Sequence, residues 1–90
     1  MFEIEYTTQF KRDLKLAKKQ GKALNKLQEI ISQIQKELPL SPKLRDHPLT
    51  GNWKGHRELH IDSDWLLIYK INPIKNILIF VRTGSHSDLF

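Results

Sequence analysis

The spacing of the apolar residues changes halfway along this 90-residue chain. From Phe10 to Leu38 they recur at intervals of three and four, which is the period of a helix with one buried face. From Trp53 to Arg82 apolar residues alternate with polar ones or form short runs, which is typical of strands. Since both kinds of element must bury an apolar face, the pattern predicts an α+β domain spanning residues 1–90, with helices packed on one face of a mostly antiparallel sheet.

Local signals place the elements of the first half. The alternation from Phe2 to Tyr6 predicts an N-terminal strand. Thr7, or the threonine after it, can cap a first helix, for which Gly21 offers a left-handed stop. A second helix is predicted to end at Pro39, so that the two helices form a hairpin. The segment 40–50 has no periodicity and is predicted to be a loop.

Three strands are predicted in the second half, over 53–61, 65–71 and 77–82, with a turn between each pair. The middle strand is apolar at nearly every position, so it is predicted to be buried on both faces. The first has one polar face, on which Lys54, His56, Glu58 and His60 alternate with inward residues. Consecutive antiparallel strands form a meander, and the polar face of its first strand can line a groove with the loop and the C-terminus.

The charge of the chain is positive and uneven. Fifteen Lys and Arg face ten Asp and Glu, for a net charge of +5. One acid, Asp13, stands among the basic residues of the stretch 11–26, which are Lys11, Arg12, Lys15, Lys18, Lys19, Lys22 and Lys26. This pattern fits either a solvated helix face or a surface for a nucleic acid or an acidic partner.

Several function classes are excluded by composition. The chain has no cysteine, so disulfides and thiolate chemistry are absent and a cytoplasmic location is expected. No signal peptide or membrane span is indicated, and no membrane association is predicted. The four glycines are scattered, without a phosphate-binding loop or a nucleophile elbow.

The last nine residues combine an arginine, a histidine and a terminal aromatic, in the sequence Arg82-Thr83-Gly84-Ser85-His86-Ser87-Asp88-Leu89-Phe90. A guanidinium can grip a phosphate, an imidazole can move protons near neutral pH, and a phenyl ring can stack on a base. Cleavage of RNA by its own 2′-hydroxyl needs a base, an acid and a cation, which histidine, aspartate and arginine supply without a metal. The motif therefore favours phosphodiester chemistry.

The four histidines do not have the spacing of a metal site. On a strand His56 and His60 would share a face but stand about 13 Å apart, at roughly 3.3 Å per residue, which is too far for two ligands of one zinc ion. No metal and no small-molecule cofactor is predicted.

The segment from Arg45 to Gly55, the pairs Arg57-Glu58 and His60-Ile61, and the run from Asp64 to Lys70 resemble the YafQ branch of the RelE/ParE toxin superfamily. The C-terminal nonapeptide resembles the last motif of that branch. The resemblance implies the toxin of a type II toxin–antitoxin pair, which is an endoribonuclease that cuts mRNA in the A site of the 70S ribosome and is silenced by its antitoxin.

Residue roles implied by the resemblance can be carried over position by position. His86 matches the central catalytic histidine, expected to be the general acid, and Arg82 the arginine that stabilises the transition-state phosphate. His60 and Asp64 match residues that activate the 2′-hydroxyl or position the substrate. Other positions are also expected to contact RNA. His47 matches a further active-site histidine, Lys54 is expected to bind phosphate, and Phe90 is the terminal aromatic. The basic helix is expected to dock on ribosomal RNA through Lys11, Arg12, Lys15, Lys18 and Lys19.

Two questions stay open at this stage. His56 stands where relatives often carry tyrosine, so it could join the site or lie on the surface. Members of the same superfamily of the ParE type inhibit DNA gyrase without catalysis, so a noncatalytic toxin is the alternative function.

Overall fold

The structure, a computed structural model, describes residues 1–90 and has five strands and three α-helices. In chain order the elements are β1 (Glu3–Tyr6), α1 (Thr8–Lys19), α2 (Leu24–Gln35), β2 (His47–Pro48), β3 (Arg57–Asp62), β4 (Trp65–Asn72), β5 (Ile77–Gly84) and α3 (His86–Leu89), with short 3₁₀ turns at Pro42–Leu44 and Gly51–Trp53. This confirms the predicted α+β class, with the N-terminal strand, the two helices and the later strands in the predicted order.

One mixed sheet contains all five strands, in the spatial order β1-β5-β4-β3-β2. The pairs formed by β2, β3, β4 and β5 are antiparallel, which confirms the predicted meander, whereas β1 runs parallel to β5. The strand β4 therefore lies at the centre of the sheet.

Apolar side chains cover β4 on both faces, as predicted. Trp65, Leu67 and Tyr69 belong to the main core with residues of α1 and α2. Leu66 and Ile68 point to the opposite face, where Leu89 of α3 covers them together with the partly buried Leu49, Trp53 and Val81. This second, smaller cluster attaches the loop before β3 and the C-terminus to the same face of the sheet.

Local capping signals mark both ends of α1. The Thr7 hydroxyl accepts a hydrogen bond from the Phe10 N–H, which confirms the predicted cap of α1. Gly21 follows α1 with a φ of +73°, where glycine is favoured, and provides the predicted stop. No helix of the protein is long and apolar enough to cross a membrane.

The predicted end of α2 at Pro39 is wrong, because the helix ends at Gln35. Glu37 takes a left-handed conformation with a φ of +58°. The N–H of Leu38 then donates to the Gln33 carbonyl and that of Glu37 to the Ile34 carbonyl. This Schellman arrangement satisfies the final carbonyl groups, so the helix stops before proline can interrupt it.

Two predictions around the loop are also corrected. The loop 40–50 contains β2, in which His47 lies opposite Glu58 of β3. The strand predicted from Trp53 begins only at Arg57, since the preceding residues form turns and Gly55 has a φ of +89°. The alternation of faces therefore holds for Glu58 and His60 but not for Lys54 and His56.

The helix α3 was not predicted. Four residues are too few to show a helical period, but the cap is encoded: the Ser85 hydroxyl accepts from the Asp88 N–H, and the Asp88 carboxylate accepts from the Ser85 N–H. Gly84 permits this tight turn, because a Cβ there would lie 3.2 Å from the side chain of Asp88.

Candidate active site

Three imidazole rings form a row along the face of the sheet that carries α3. The ring centroids of His47 and His60 are 6.4 Å apart, and those of His60 and His86 are 6.0 Å apart. They come from β2, β3 and α3, so residues far apart in sequence meet here. The structure thus brings together the three histidines that the sequence analysis selected.

His86 is held by Asp64, which lies in the turn between β3 and β4. One oxygen of Asp64 accepts the backbone N–H of His86 at 3.1 Å and faces Nδ1 of its ring at 3.0 Å. The hydrogen bonds from the His86 N–H and ring lower the pKa of Asp64, so this carboxylate stays ionised. An ionised carboxylate can only accept a hydrogen bond, so Asp64 fixes a proton on Nδ1 of His86 and leaves Nε2 as the ring nitrogen that can exchange a proton.

His60 has the opposite electrostatic setting. Burial, followed by the positive charge of Arg45, lowers the pKa of His60 below 6.5. The Arg45 Nη2 lies 3.4 Å from its Nδ1, and since a guanidinium can only donate, that nitrogen carries the lone pair. His60 is therefore neutral near pH 7 and able to accept a proton.

His47 contacts two acceptors. Its Nδ1 donates to the Arg45 carbonyl at 2.7 Å, because a carbonyl oxygen can only accept. Its Nε2 lies 3.6 Å from Oε1 of Glu58, a carboxylate beneath the histidine row. The two contacts fix the ring on β2 with its second nitrogen facing an acid.

A partly buried network anchors the segment that carries Arg45 and His47. Asp46 accepts two hydrogen bonds from Nε and one from Nη2 of Arg57, and one from the Tyr69 hydroxyl. Burial and then this hydrogen bond raise the pKa of Tyr69 well above its usual value, while the hydrogen bond with Asp46 raises the pKa of Arg57. These contacts attach the loop to β3 and β4. They also hold the chain next to Arg45, whose backbone takes the uncommon left-handed conformation with a φ of +51°.

Arg82 lies in a different setting from the histidine row. Its Nε and Nη2 donate to the two oxygens of Asp13 at 2.8 and 3.3 Å, and Oδ2 of Asp13 also accepts the N–H of Thr83. The pair lines a pocket of about 200 Å³ that also includes Asp88 of α3. The guanidinium within reach of a histidine is that of Arg45, which the sequence analysis did not select.

At one end of the site, the ring of Phe90 lies between those of His86 and Trp53. Phe90 is 58% exposed, and its ring lies 6.3 Å from that of His86 and 6.0 Å from that of Trp53. His56 packs edge-on against Trp53 at 5.3 Å, outside the histidine row. Lys54 is exposed in the turn before β3.

The basic residues of α1 form a second surface. All five selected side chains are exposed, whereas the single acid of the segment, Asp13, is buried against Arg82. Three of the lysines border a groove of about 490 Å³ between α1 and α2 with an apolar floor; its lining includes Lys11, Lys15, Lys18, Leu14, Leu27 and Ile31. The charged side chains exposed on α1 are therefore all cationic.

Three polar residues of the site region were not selected from the sequence: Arg45, Glu58 and Asp13. Two of them carried a signal in the sequence. Arg45 directly precedes Asp46 and His47, and Glu58 stands two residues before His60 on the predicted polar face. Asp13 carried no local signal, since its partner is 69 residues away. No three His, Asp or Glu side chains converge with the geometry of a metal site.

Comparison with known proteins gives a consistent family. The family model described as the bacterial toxin of type II toxin–antitoxin system, YafQ, matches residues 2–90. The mRNA interferase toxin YafQ of Escherichia coli K12 is 46% identical over 98% of this chain and 95% of its own length.

Solved structures agree with the family model along the whole chain. The E. coli DinJ–YafQ complex includes a chain with a TM-score of 0.89 and 45% identity, with coverage of 100% of this chain and 99% of that one. A metal-bound toxin from Helicobacter pylori has a TM-score of 0.94 and 44% identity, with full coverage of both chains.

Proposed function

This chain belongs to the YafQ family of type II toxin–antitoxin toxins, and we propose that its histidine row cleaves mRNA in the ribosomal A site by a metal-independent mechanism. It is an mRNA interferase, as are relatives 46% identical over nearly the full chain. The observation that supports the finer proposal is the contrast along the row: His60 is neutral beside a cation, and His86 is paired with an ionised acid.

The different settings of His60 and His86 suit these two residues to the two proton transfers of the reaction. The lone pair of His60 accepts the proton of the RNA 2′-hydroxyl, whose oxygen attacks the adjacent phosphorus. The bond from phosphorus to the 5′-oxygen breaks, and the imidazolium of His86 gives that oxygen its proton. The products are a 2′,3′-cyclic phosphate and a 5′-hydroxyl. Asp64 acts in this scheme by holding the His86 ring in place through the backbone N–H and Nδ1.

Cationic side chains stabilise the charge on the phosphate. Arg45 is placed for this role because its guanidinium lies beside His60, where the attacked phosphate would sit. Arg82 and Lys54 are further candidates, with Arg82 oriented by Asp13. Phe90, with an exposed ring next to His86, is suited to stack on a base of the codon.

The basic face of α1 is proposed to bind ribosomal RNA. Its five residues, Lys11, Arg12, Lys15, Lys18 and Lys19, are exposed and lie on a different element from the histidine row. Phosphate contacts of this kind position a protein without reading sequence. They would bring the enzyme to the ribosome while β2, β3 and α3 perform the chemistry.

The protein partner is proposed to be a cognate antitoxin, and the place of action the bacterial cytoplasm. A relative 45% identical has been solved in complex with DinJ. The mRNA interferase name of the relatives favours a nuclease over the noncatalytic gyrase inhibitor that the fold alone would allow.

The proposed function is tested by mapping RNA ends in a reconstituted translation reaction to which the purified toxin is added. We expect new 5′-hydroxyl ends within the A-site codon and 2′,3′-cyclic phosphates on the upstream fragments. Ends that lie outside the A site would contradict the ribosomal part of the proposal. A 5′-phosphate at the cut would contradict attack by the 2′-hydroxyl.

The rate of cleavage is expected to depend on pH through His60. Its base form is neutral, so the rate rises as pH increases through its pKa, and burial and Arg45 place that midpoint below 6.5. Replacing Arg45→Gln removes the largest charge effect that lowers this pKa and should shift the midpoint upwards, towards 6.5. Single-turnover rates of both proteins on the same ribosome complexes measure the shift.

The exposed neighbour Lys43 supplies the matched control, since Lys43→Gln removes one charge from the same loop. The control should keep the midpoint of the parent. A parent midpoint above 6.5, or equal shifts in both variants, would contradict His60 as the base.

A further inference from the structure

Glu58 is a buried acid for which the proposed reaction has no role. The residue is 5% exposed, and its Oε2 has no hydrogen-bond partner. A carboxylate in such a place is unfavourable unless a positive charge lies close to it or it takes up a proton. Its position on the same face of β3 as His60 places it next to the reaction.

His47 is the group that faces this acid. The two residues lie opposite each other on β2 and β3, and Nε2 of His47 is 3.6 Å from Oε1 of Glu58. Since Nδ1 donates to the Arg45 carbonyl, a neutral ring would turn the lone pair of Nε2 towards the carboxylate. With Glu58 ionised, this contact is attractive only when Nε2 also carries a proton.

The other charged groups near the pair oppose that second proton. The neutral His60 separates the pair from Arg45 and from the proposed acid His86, so the charges further along the row are positive. On the sheet side Arg57 is already paired with Asp46. Glu58 is therefore the negative group available to hold a positive charge on His47.

We propose that Glu58 is a positioning residue that keeps His47 as an imidazolium ion, ready to contact the RNA phosphate. The proposal rests on the proposed function and gives the third histidine a role distinct from those of the base and the acid. His47 then stabilises charge together with Arg45, instead of moving a proton. Glu58 itself touches no substrate.

The test compares Glu58→Gln with the parent by NMR of the full chain labelled with ¹⁵N-histidine at pH 7. Glutamine keeps the size and removes the charge, so we expect Nε2 of His47 to lose its proton while the tautomer set by Arg45 remains. Glu29→Gln, at an exposed position of α2, is the matched control and should leave the His47 signals unchanged. This readout does not depend on cleavage, so it stands even if the proposed reaction fails.

Cleavage rates complete the test. Glu58→Gln should slow cleavage about 10-fold, which is less than the roughly 100-fold or more of a group that acts directly in the transition state, because Glu58 acts through His47. In a His47→Ala background the same change should have no further effect, because Glu58 acts through His47. Stability should change little, because glutamine keeps the shape of the side chain and His47, which is 45% exposed, can lose its proton and leave no unpaired charge.

Two results would overturn the proposal. One is an unchanged protonation state of His47 in Glu58→Gln. The other is an equal loss of rate from Glu58→Gln with and without His47, which would show a structural effect that bypasses the imidazole.

Discussion

Replacing His86→Ala is expected to slow RNA cleavage about 100- to 10,000-fold, which is the range for a general acid. The leaving 5′-oxygen then lacks a proton donor, while His60 and the cations remain. The side chain of His86 is 57% exposed, so the variant should stay folded. Counting A-site ends over time in the reconstituted translation reaction measures the loss, and circular dichroism verifies the fold.

A matched histidine outside the row separates chemistry from surface effects. His56 packs against Trp53, so His56→Ala removes an imidazole near Phe90 without touching the row. We expect it to keep more than a tenth of the parent rate. Asp64→Asn should lie between the two variants, because it leaves His86 in place but removes the negative charge that holds its proton. If His86→Ala cleaves at the parent rate, the acid must be another group.

Much of this site could be predicted from the chain because its parts sit next to elements with strong patterns. His60 follows from the alternation on β3, and His86 from its place directly after the last apolar strand. What could not be predicted is the neighbourhood of each ring. That His47 faces Glu58 depends on β2, a two-residue strand with no periodicity of its own.

The two arginines also show that sequence alone does not reveal the neighbours of a side chain. Arg82 and Arg45 are equally suited to phosphate binding as residue types, and only tertiary contacts separate them. Arg82 is committed to an acid on α1, whereas Arg45 has a left-handed backbone and points to His60. The left-handed conformation of Glu37 likewise could not be predicted from the sequence, because glutamate has no preference for that conformation.

The pair formed by Asp13 and Arg82 should be the polar contact on which folding depends most strongly. The Asp13 side chain is 8% exposed, and its carboxylate accepts from Arg82 and from the N–H of Thr83. Asp13→Ala leaves a guanidinium and a backbone donor without a partner. We expect this to cost about 2–4 kcal/mol of unfolding free energy, measured by urea denaturation.

The matched control is Asp62→Ala, which breaks an exposed pair with Lys26 and leaves the exposed Ser63 N–H to bind water, so the urea midpoint should change little. A double variant, Asp13→Leu with Arg82→Met, separates lost attraction from an unpaired charge: it should recover part of the stability that Asp13→Ala loses, because no buried charge is left alone. If Asp13→Ala is as stable as the parent, the pair does not hold α1 to β5. Asp13 would then serve only to orient Arg82, and the variant should lose cleavage without losing stability.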